Sequence, residues 1–250
     1  MFILAPDHFT FPPAELASPE GLLAIGGDLQ TGRLLEAYGH GIFPWYNNDQ
    51  PILWWSPDPR ATLFPDQLRI SKSLKKTLRK QKFRVSFDHA FEQVIRACAA
   101  SRAGRRRPEQ EAGDATDPGT WILPEMIEAY CILHEQGYAH SVETWLDDKL
   151  VGGLYGVSLG RAFFGESMFS RETDASKVAL VFLAEQLKQW RFELIDCQVS
   201  SPHLQTLGAV DLRREDFMTH LSRALAGPDQ PGSWAGARPC SPWFIDGEVP

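Results

Sequence analysis

Two apolar strand-like runs lie between residues 163 and 199 on either side of a helix-like segment, and together they carry three isolated polar side chains. Glu166 follows a glycine in the first run, and Asp196 and Gln198 flank Cys197 in the second. Because side chains alternate along a strand, Asp196 and Gln198 are predicted to share one face, with Cys197 on the other. A carboxylate and a carboxamide on a buried strand are costly unless they bind a partner. We therefore expect these three polar residues to form a site.

The neighbouring residues do not have the pattern of a covalent catalyst. Ser167 lacks the second glycine of a Gly-x-Ser-x-Gly nucleophile elbow, and no Ser-His-Asp or Cys-His signature is present. The cysteines contain no Cys-x-x-Cys pair, which predicts reduced thiols rather than disulfides or a zinc site. They are Cys98, Cys131, Cys197 and Cys240. We expect no metal at the site.

The elements predicted to carry the site are antiparallel strands followed by a helix and a further strand. This order is typical of an α+β domain. The strands fit residues 139–146, 150–158, 162–169 and 192–199, and the helix between the last two fits 174–190. Upstream, helices fit 31–38, 89–100 and 124–136, a strand fits 83–87, and a surface loop fits 101–119.

A cationic helix is predicted at residues 71–82, in a chain whose formal net charge is −7. Ser71 is the predicted N-cap, and Leu74 and Leu78 form a narrow apolar stripe, which leaves the other faces basic. A solvated helix is one interpretation. Positive charge gathered in an acidic protein also indicates a surface that binds a polyanion, such as a phosphodiester backbone. The candidate phosphate contacts are Lys72, Lys75, Lys76, Arg79 and Lys80.

Two domains are expected, a small one at residues 1–66 and a larger one at 67–250 that includes the cationic helix. The first is rich in Pro, Gly and Trp and is predicted to be largely loop-like. Its aromatic residues need a second surface to cover them, so it should pack on the larger domain. No apolar run reaches the length of a membrane span, and the first residues lack a signal peptide's basic flank. A cytoplasmic protein is expected.

Seven short motifs give a more specific indication. They are Gly-Leu-Leu-Ala-Ile-Gly-Gly-Asp-Leu (21–29), Gly-Ile-Phe-Pro-Trp (41–45), Trp-Trp-Ser-Pro-Asp-Pro-Arg (54–60), Gly-Thr-Trp-Ile (119–122), Gly-Gly-Leu-Tyr-Gly (152–156), Gly-Glu-Ser-Met-Phe-Ser (165–170) and Ile-Asp-Cys-Gln-Val (195–199). Because these motifs occur in this order, the chain resembles the leucyl/phenylalanyl-tRNA–protein transferases over residues 20–220. The loop at 101–119 is longer and richer in arginine than is usual in that family.

The resemblance implies an aminoacyltransferase. Such an enzyme moves leucine or phenylalanine, with methionine as a further candidate, from its tRNA to the α-amino group of a protein beginning with Lys or Arg. The product carries a destabilising N-terminus that marks it for degradation by the N-end rule. The resemblance also implies a GNAT-like, acetyltransferase-like mixed-sheet domain behind a small N-terminal subdomain, a cytosolic location, and no metal or coenzyme.

The resemblance further implies roles for individual residues. Asp196 and Gln198 are expected to be central to catalysis. A neutral amide oxygen is a very weak base, so Gln198 is better suited to accept a hydrogen bond from the incoming amine. The proton would then pass to a ribose hydroxyl of the tRNA, to water or to Asp196. Glu166 is expected to bind the ammonium of the aminoacyl group or the terminal ribose.

The same resemblance predicts where the donor lies. The candidates for the apolar pocket that holds the donor side chain are Leu154, Phe163 and Met168. The candidates for contacts with the terminal adenosine of the tRNA are Trp45, Trp121, Tyr38 and Tyr130. Base stacking on an aromatic ring contributes about 1–3 kcal/mol. The cationic helix would hold phosphates of the acceptor stem without reading the sequence.

Two other interpretations remain open. An N-acyltransferase that uses acyl-CoA would need a glycine-rich pyrophosphate loop before the helix at 174–190, and residues 170–173 contain no glycine. A non-catalytic RNA-binding module could use the cationic helix and exposed tryptophans, but it leaves Asp196 and Gln198 without a purpose. Retained tRNA binding without transfer would favour that second interpretation.

Overall fold

A small four-stranded sheet forms the N-terminal part of the protein. The computed structural model describes residues 2–5, 9–103 and 122–237, with only the backbone at 101–103. The strands, in the order β1-β2-β4-β3, are β1 (Phe2–Leu4), β2 (Leu22–Gly26), β3 (Phe43–Pro44) and β4 (Leu53–Trp55). The sequence analysis predicted a helix in this part but no strand, so the small sheet was missed. The strands are short and interrupted by Pro and Gly, which hides their pattern in the sequence.

A seven-stranded mixed sheet forms the larger part. Its order is β11-β5-β10-β9-β8-β7-β6. The strands are β5 (Arg60–Leu63), β6 (Arg84–Phe87), β7 (Ala139–Leu146), β8 (Lys149–Leu159), β9 (Ala162–Ser170), β10 (Leu194–Gln198) and β11 (Val210–Leu212). The α+β class predicted from the sequence is confirmed. The domain boundary at residue 66 stays a prediction, since β5 precedes it in sequence yet pairs within this larger sheet.

Seven helices of the described chain cover the two sheets. They are α1 (Thr31–Gly39), α2 (Lys72–Arg79), α3 (Phe91–Ala103), α4 (Pro124–Glu135), α5 (Ala175–Gln189), α6 (Pro202–Thr206) and α7 (Arg214–Leu225). One apolar cluster joins α3, α4 and the small sheet to the large sheet, and a second joins α5 to it. No helix within the described ranges is long and apolar enough to cross a membrane.

The three long central strands follow from local sequence. In the turn between β7 and β8, Asp147 and Asp148 both have positive φ, 49° and 58°, a conformation that Asp tolerates better than most residues. Gly160, with φ of 54°, makes the next turn into β9. Gly152 lets β8 approach the start of α5, because a Cβ there would lie 2.5 Å from the Cβ of Ala175.

The strand pairing that positions the site is parallel. β10 runs parallel to β9, and their register ends at the pair Asp196–Phe164. Glu166 and Gln198 both lie just beyond this last pair. The β8–β9 register also shifts next to Glu166, and the β10–β5 register shifts between Asp196 and Gln198. The side chains of Glu166 and Gln198 can therefore meet where the two parallel strands part.

Candidate active site

A cavity of about 1000 Å³ opens where β9 and β10 part. Glu166 and Gln198 line it, as two of the predicted catalytic residues. All members of the predicted side-chain pocket line it too, together with one of the predicted adenosine contacts: Leu154, Phe163, Met168 and Trp45. Residues from four separate sequence motifs therefore meet at one cavity, which supports treating it as one site.

Asp196 lies behind the cavity rather than in it. Its carboxylate is buried and receives two charge-assisted hydrogen bonds from Arg60, Nε at 2.8 Å and Nη2 at 2.7 Å. Arg60 is buried as well, and its guanidinium lies 4.8 Å from the ring centroids of both Phe43 and Phe217. A bidentate pair in such surroundings fixes the position of the carboxylate.

The backbone at Gln198 explains why simple strand alternation fails. Gln198 has φ of 57°, and its N–H donates to Oδ1 of Asp196 at 2.9 Å. The prediction that Cys197 faces away from the site was wrong, because Cys197 lines the cavity and Asp196 does not. Burial raises the pKa of the Cys197 thiol to about 12, so it does not supply a thiolate nucleophile at neutral pH.

Glu166 is the centre of a hydrogen-bond network at the polar end of the cavity. Its carboxylate accepts from Tyr38 Oη at 2.7 Å, from Tyr130 Oη at 3.2 Å and from Gln198 Nε2 at 3.1 Å. The side chain is buried at 7% exposure, and this burial raises its pKa from 4.5 to about 7 despite the two tyrosine donors. A carboxyl group with such a pKa can exchange a proton near neutral pH.

Tyr38 and Tyr130 offer no exposed ring face for an adenine to stack on, which argues against their predicted contact with the terminal adenosine. Both are fully buried, and their hydroxyls contact each other as well as Glu166. The ring of Tyr38 packs 5.0 Å from that of Phe164, and the ring of Tyr130 packs 5.7 Å from that of Tyr155. Burial is the main cause of their pKa values lying well above 10. They position Glu166 as neutral hydrogen-bond donors.

Trp45 has the exposure that base stacking requires. It is 42% exposed, lines the cavity, and packs against Trp55 with 5.9 Å between ring centroids. Its carbonyl accepts from the indole Nε1 of Trp55 at 2.6 Å, so the neighbouring tryptophan holds its backbone. The other predicted stacking residue, Trp121, lies outside the described residues, as does the predicted loop beyond residue 103.

The cationic helix forms as predicted, as α2, and turns its charges outward. Oγ of Ser71 accepts from the N–H of Leu74 at 3.2 Å, which is the expected N-cap. Leu74 and Leu78 are buried, and all five candidate phosphate contacts are exposed. Thr77 on the same helix donates to Asp174 at 2.9 Å, and Asp174 lines the cavity. This hydrogen bond therefore connects the helix that carries the charged surface to a residue that lines the cavity.

Arg60 is the main residue of the site that the sequence analysis did not single out. It ends the Trp-Trp-Ser-Pro-Asp-Pro-Arg motif and opens β5, whose following residues are all buried. A charged residue inside such a strand signals a buried ionic partner, because an unpaired buried charge is very costly. That signal predicts a partner but does not identify Asp196, which lies 136 positions further along the chain.

Comparison with known proteins gives consistent matches along the chain. The model of the leucyl/phenylalanyl-tRNA protein transferase family matches residues 62–222, and the model of its N-terminal domain matches residues 27–58. The chain is 54% identical over 243 residues to a leucyl/phenylalanyl-tRNA–protein transferase of Cellvibrio japonicus, covering 96% of this chain and 98% of that protein. A protein of the same description from Anaeromyxobacter sp. is 54% identical over 94% of this chain and 96% of its own.

Similarity to solved structures is more distant. A GCN5-related N-acetyltransferase from Kribbella flavida superposes with a TM-score of 0.37 and 12% identity, over 73% of this chain and 61% of its own. At this level of similarity the superposition carries no argument about activity.

Proposed function

Because the chain belongs to the leucyl/phenylalanyl-tRNA protein transferase family, we propose that it transfers leucine or phenylalanine from aminoacyl-tRNA to the α-amino group of a protein. The acceptors are proteins with N-terminal Lys or Arg. The observation that carries this proposal is the single cavity that joins an apolar wall, the buried carboxyl group of Glu166 with the half-buried carboxamide of Gln198, and an exposed tryptophan.

The reaction is the aminolysis of an ester that is already activated. The amine nitrogen of the acceptor attacks the ester carbonyl carbon and forms an amide bond. The bond from that carbon to the ribose oxygen breaks, and the tRNA leaves with a free hydroxyl. The amine loses one proton and the ribose oxygen gains one. The enzyme must therefore align two substrates and move a proton, and alignment alone can lower the barrier by several kcal/mol.

Gln198 aligns the acceptor amine. Its Nε2 donates to the carboxylate of Glu166 at 3.1 Å. The amide nitrogen is thereby engaged, and the amide oxygen Oε1 is the atom that accepts a hydrogen bond from the amine. An amine N–H that donates to this oxygen has its lone pair free to attack the carbonyl carbon. The conformation of Gln198 is held by Asp196 and Arg60, so these two buried residues act as positioning residues.

Glu166 takes the proton. Its pKa of about 7 leaves a large ionised fraction at neutral pH, so it can accept the proton that the amine nitrogen loses as the amide forms and pass it to the leaving ribose oxygen. Asp196 is a poor candidate, because both of its oxygens are engaged by Arg60 in a buried ion pair. Tyr38 and Tyr130 stabilise the ionised form of Glu166 through their hydroxyl donors, and this support is needed before the proton arrives.

The donor occupies the apolar side of the cavity. Leu154 and Phe163 are nearly fully buried, and Met168 is half-buried, so they offer the side chain a wall without hydrogen-bonding groups. Such a wall accepts both leucine and phenylalanine but discriminates against polar side chains. The terminal adenosine stacks on Trp45, and the acceptor stem lies along α2 through its phosphates.

The cavity also offers a carboxylate for the basic side chain of the acceptor. Asp174 lines the cavity, and its side chain is 13% exposed, beside Lys177 at 3.1 Å. An incoming Lys or Arg side chain has favourable electrostatic interactions with Asp174 and with ionised Glu166. This arrangement favours acceptors with a positively charged first residue over uncharged ones.

The direct test is the transfer of labelled leucine from Leu-tRNA to three peptides that differ only in a first residue of Arg, Lys or Ala. Acetyl-CoA serves as a control donor. We expect label on the Arg and Lys peptides only, and loss of at least about 100-fold in Glu166→Gln, the size typical of a lost general base. Glu128→Gln makes the same chemical change on the exposed face of α4 and should keep full activity.

Three outcomes would contradict the proposal in different ways. Transfer from acetyl-CoA but not from Leu-tRNA would indicate an N-acyltransferase. Binding of tRNA without transfer would indicate an RNA-binding module. Equal labelling of the Arg and Ala peptides would leave the transferase in place but remove the proposed acceptor selectivity.

A further inference from the structure

The C-terminal end of the described chain returns across the large sheet after α7. The N–H of Gly232 donates to the carbonyl of Gly137 at 3.2 Å, and the carboxylate of Asp229 accepts from the N–H of Gly160 at 2.6 Å. Trp234 follows in this segment and is only 4% exposed. The segment therefore places a large aromatic ring in the core beneath the sheet.

Trp234 is held through both its backbone and its ring. Its N–H donates to Oδ2 of Asp88 at 2.6 Å, and the same oxygen lies 3.0 Å from Nδ1 of His140. The indole stacks on the imidazole of His140, with 3.7 Å between centroids and 3° between planes. Trp190 packs against the indole with its centroid 4.8 Å away. The position of this ring is therefore fixed from several directions.

The cavity wall lies directly next to this ring. Trp234 is 5.9 Å from the ring of Phe163, which lines the cavity, and the two belong to one apolar cluster with Leu154 and Leu183, also cavity residues. Trp234 itself does not line the cavity. We propose that Trp234 is a positioning residue that sets the depth of the donor side-chain pocket by keeping Phe163 from receding. This inference rests on the proposed function.

The physical basis is the close packing of protein interiors. A ring with the volume of an indole behind Phe163 leaves no room for Phe163 to move back. When a large core side chain is truncated, its surroundings relax only in part and a void remains. Phe163 is the cavity residue next to that void, so its ring can turn into the space. The pocket then deepens, and donors bulkier than phenylalanine gain while leucine gains little.

The test compares two donors on the full chain. It measures kcat/KM for transfer from tRNA charged with leucine and from tRNA charged with 2-naphthylalanine, in the wild type, Trp234→Ala and Trp234→Phe. We expect the naphthylalanine-to-leucine ratio to rise about tenfold or more in Trp234→Ala, a size typical of an enlarged apolar pocket. Trp234→Phe keeps a ring in the stack and should stay within about threefold of the wild type.

A matched control separates this effect from general destabilisation. Trp54 is also fully buried, and its indole donates to the carbonyl of Gly26 at 2.8 Å, but it lies in the small sheet and does not line the cavity. Trp54→Ala should leave the donor ratio unchanged. An unchanged ratio in Trp234→Ala, or an equal change in both alanine variants, would overturn the inference.

Three further results are decisive. If Trp234→Ala does not fold, Trp234→Leu and Trp234→Phe take its place. A naphthylalanine-to-leucine ratio that is no higher in Trp234→Leu than in Trp234→Phe then refutes the inference. If the wild type transfers leucine and the ratio does not move, only this inference fails. If the wild type transfers no leucine, the proposed function fails and this inference fails with it.

Discussion

Replacing Glu166 by glutamine should change the pH dependence of stability in a calculable way. Burial raises the pKa of Glu166 from 4.5 to about 7, so between these values the folded protein keeps a proton that the unfolded chain has lost. The wild type therefore loses stability as pH rises through this window. A difference of about 2.5 pKa units corresponds to about 3 kcal/mol, because one unit is worth about 1.4 kcal/mol.

Glu166→Gln removes this titration while keeping the shape of the side chain. Its unfolding free energy relative to the wild type should rise by about 1.4 kcal/mol per pH unit from pH 4.5 to 7, and then level off about 3 kcal/mol above its starting value. Urea denaturation at pH 5, 6, 7 and 8 measures this difference directly. Asp148→Asn, at a carboxylate that is 94% exposed on a turn, controls for the loss of one negative charge.

The pH dependence of transfer activity should also report the titration of Glu166. If Glu166 takes the proton, wild-type transfer falls below pH 7 for two reasons, since both the free amine and the ionised carboxylate are required. The logarithm of the rate then falls with a slope near 2 in the wild type and near 1 in Glu166→Gln. Tyr38→Phe removes a donor that lowers the pKa of Glu166, so it should move the acid limb to higher pH.

One pair of results would refute this reasoning. A stability difference between the wild type and Glu166→Gln that is constant from pH 5 to 8 would mean that Glu166 is not shifted by burial. An acid limb of equal slope in both proteins would mean that Glu166 does not take the proton, even if its pKa is shifted.

Three further predictions concern the surroundings of this group. Arg60→Leu should lower the unfolding free energy by about 3–5 kcal/mol in urea denaturation, because it removes the cationic partner of the buried Asp196 carboxylate. The double variant with Asp196→Leu should recover most of that loss but no transfer activity, and an active double variant would contradict the positioning role. Met168→Phe should narrow the pocket and lower kcat/KM for phenylalanine relative to leucine by about tenfold, and an unchanged ratio would exclude Met168 from the pocket wall. Lys76→Ala should reduce the salt slope of tRNA binding by about one, whereas the exposed Lys149→Ala should not, and equal slopes would argue against α2 as the phosphate surface.

The sequence predicted the parts of this fold that depend on local interactions and missed parts that depend on long-range pairing. The long strands β7, β8 and β9, the helix α5 and the N-cap at Ser71 matched their predicted positions, because turn residues and apolar periodicity act over a few residues. The small N-terminal sheet was missed. Its strands contain two to five residues each and pair across long intervals, so their local pattern is weak.

The candidate site divides in the same way. The sequence singled out Glu166, Gln198 and the apolar residues that line one cavity, because isolated polar groups and motif positions are visible in one dimension. The sequence did not show which of these side chains face the cavity and which lie behind it. A register shift and a positive φ at Gln198 overturn the alternation that placed it beside Asp196 on one face. Such irregularities in a strand depend on how it pairs with the neighbouring strands, which the local sequence does not specify.

The sequence by itself determined the residue types, the order of the elements from β7 to β10 and the family to which the chain belongs. Only the tertiary structure decided that Asp196 is neutralised by Arg60, that Tyr38 and Tyr130 are buried donors to Glu166, and that Glu166 titrates near pH 7. The physical reason is that burial and charge pairing depend on residues that are distant in sequence. Desolvation and ion pairing arise only once the folded chain brings those residues together.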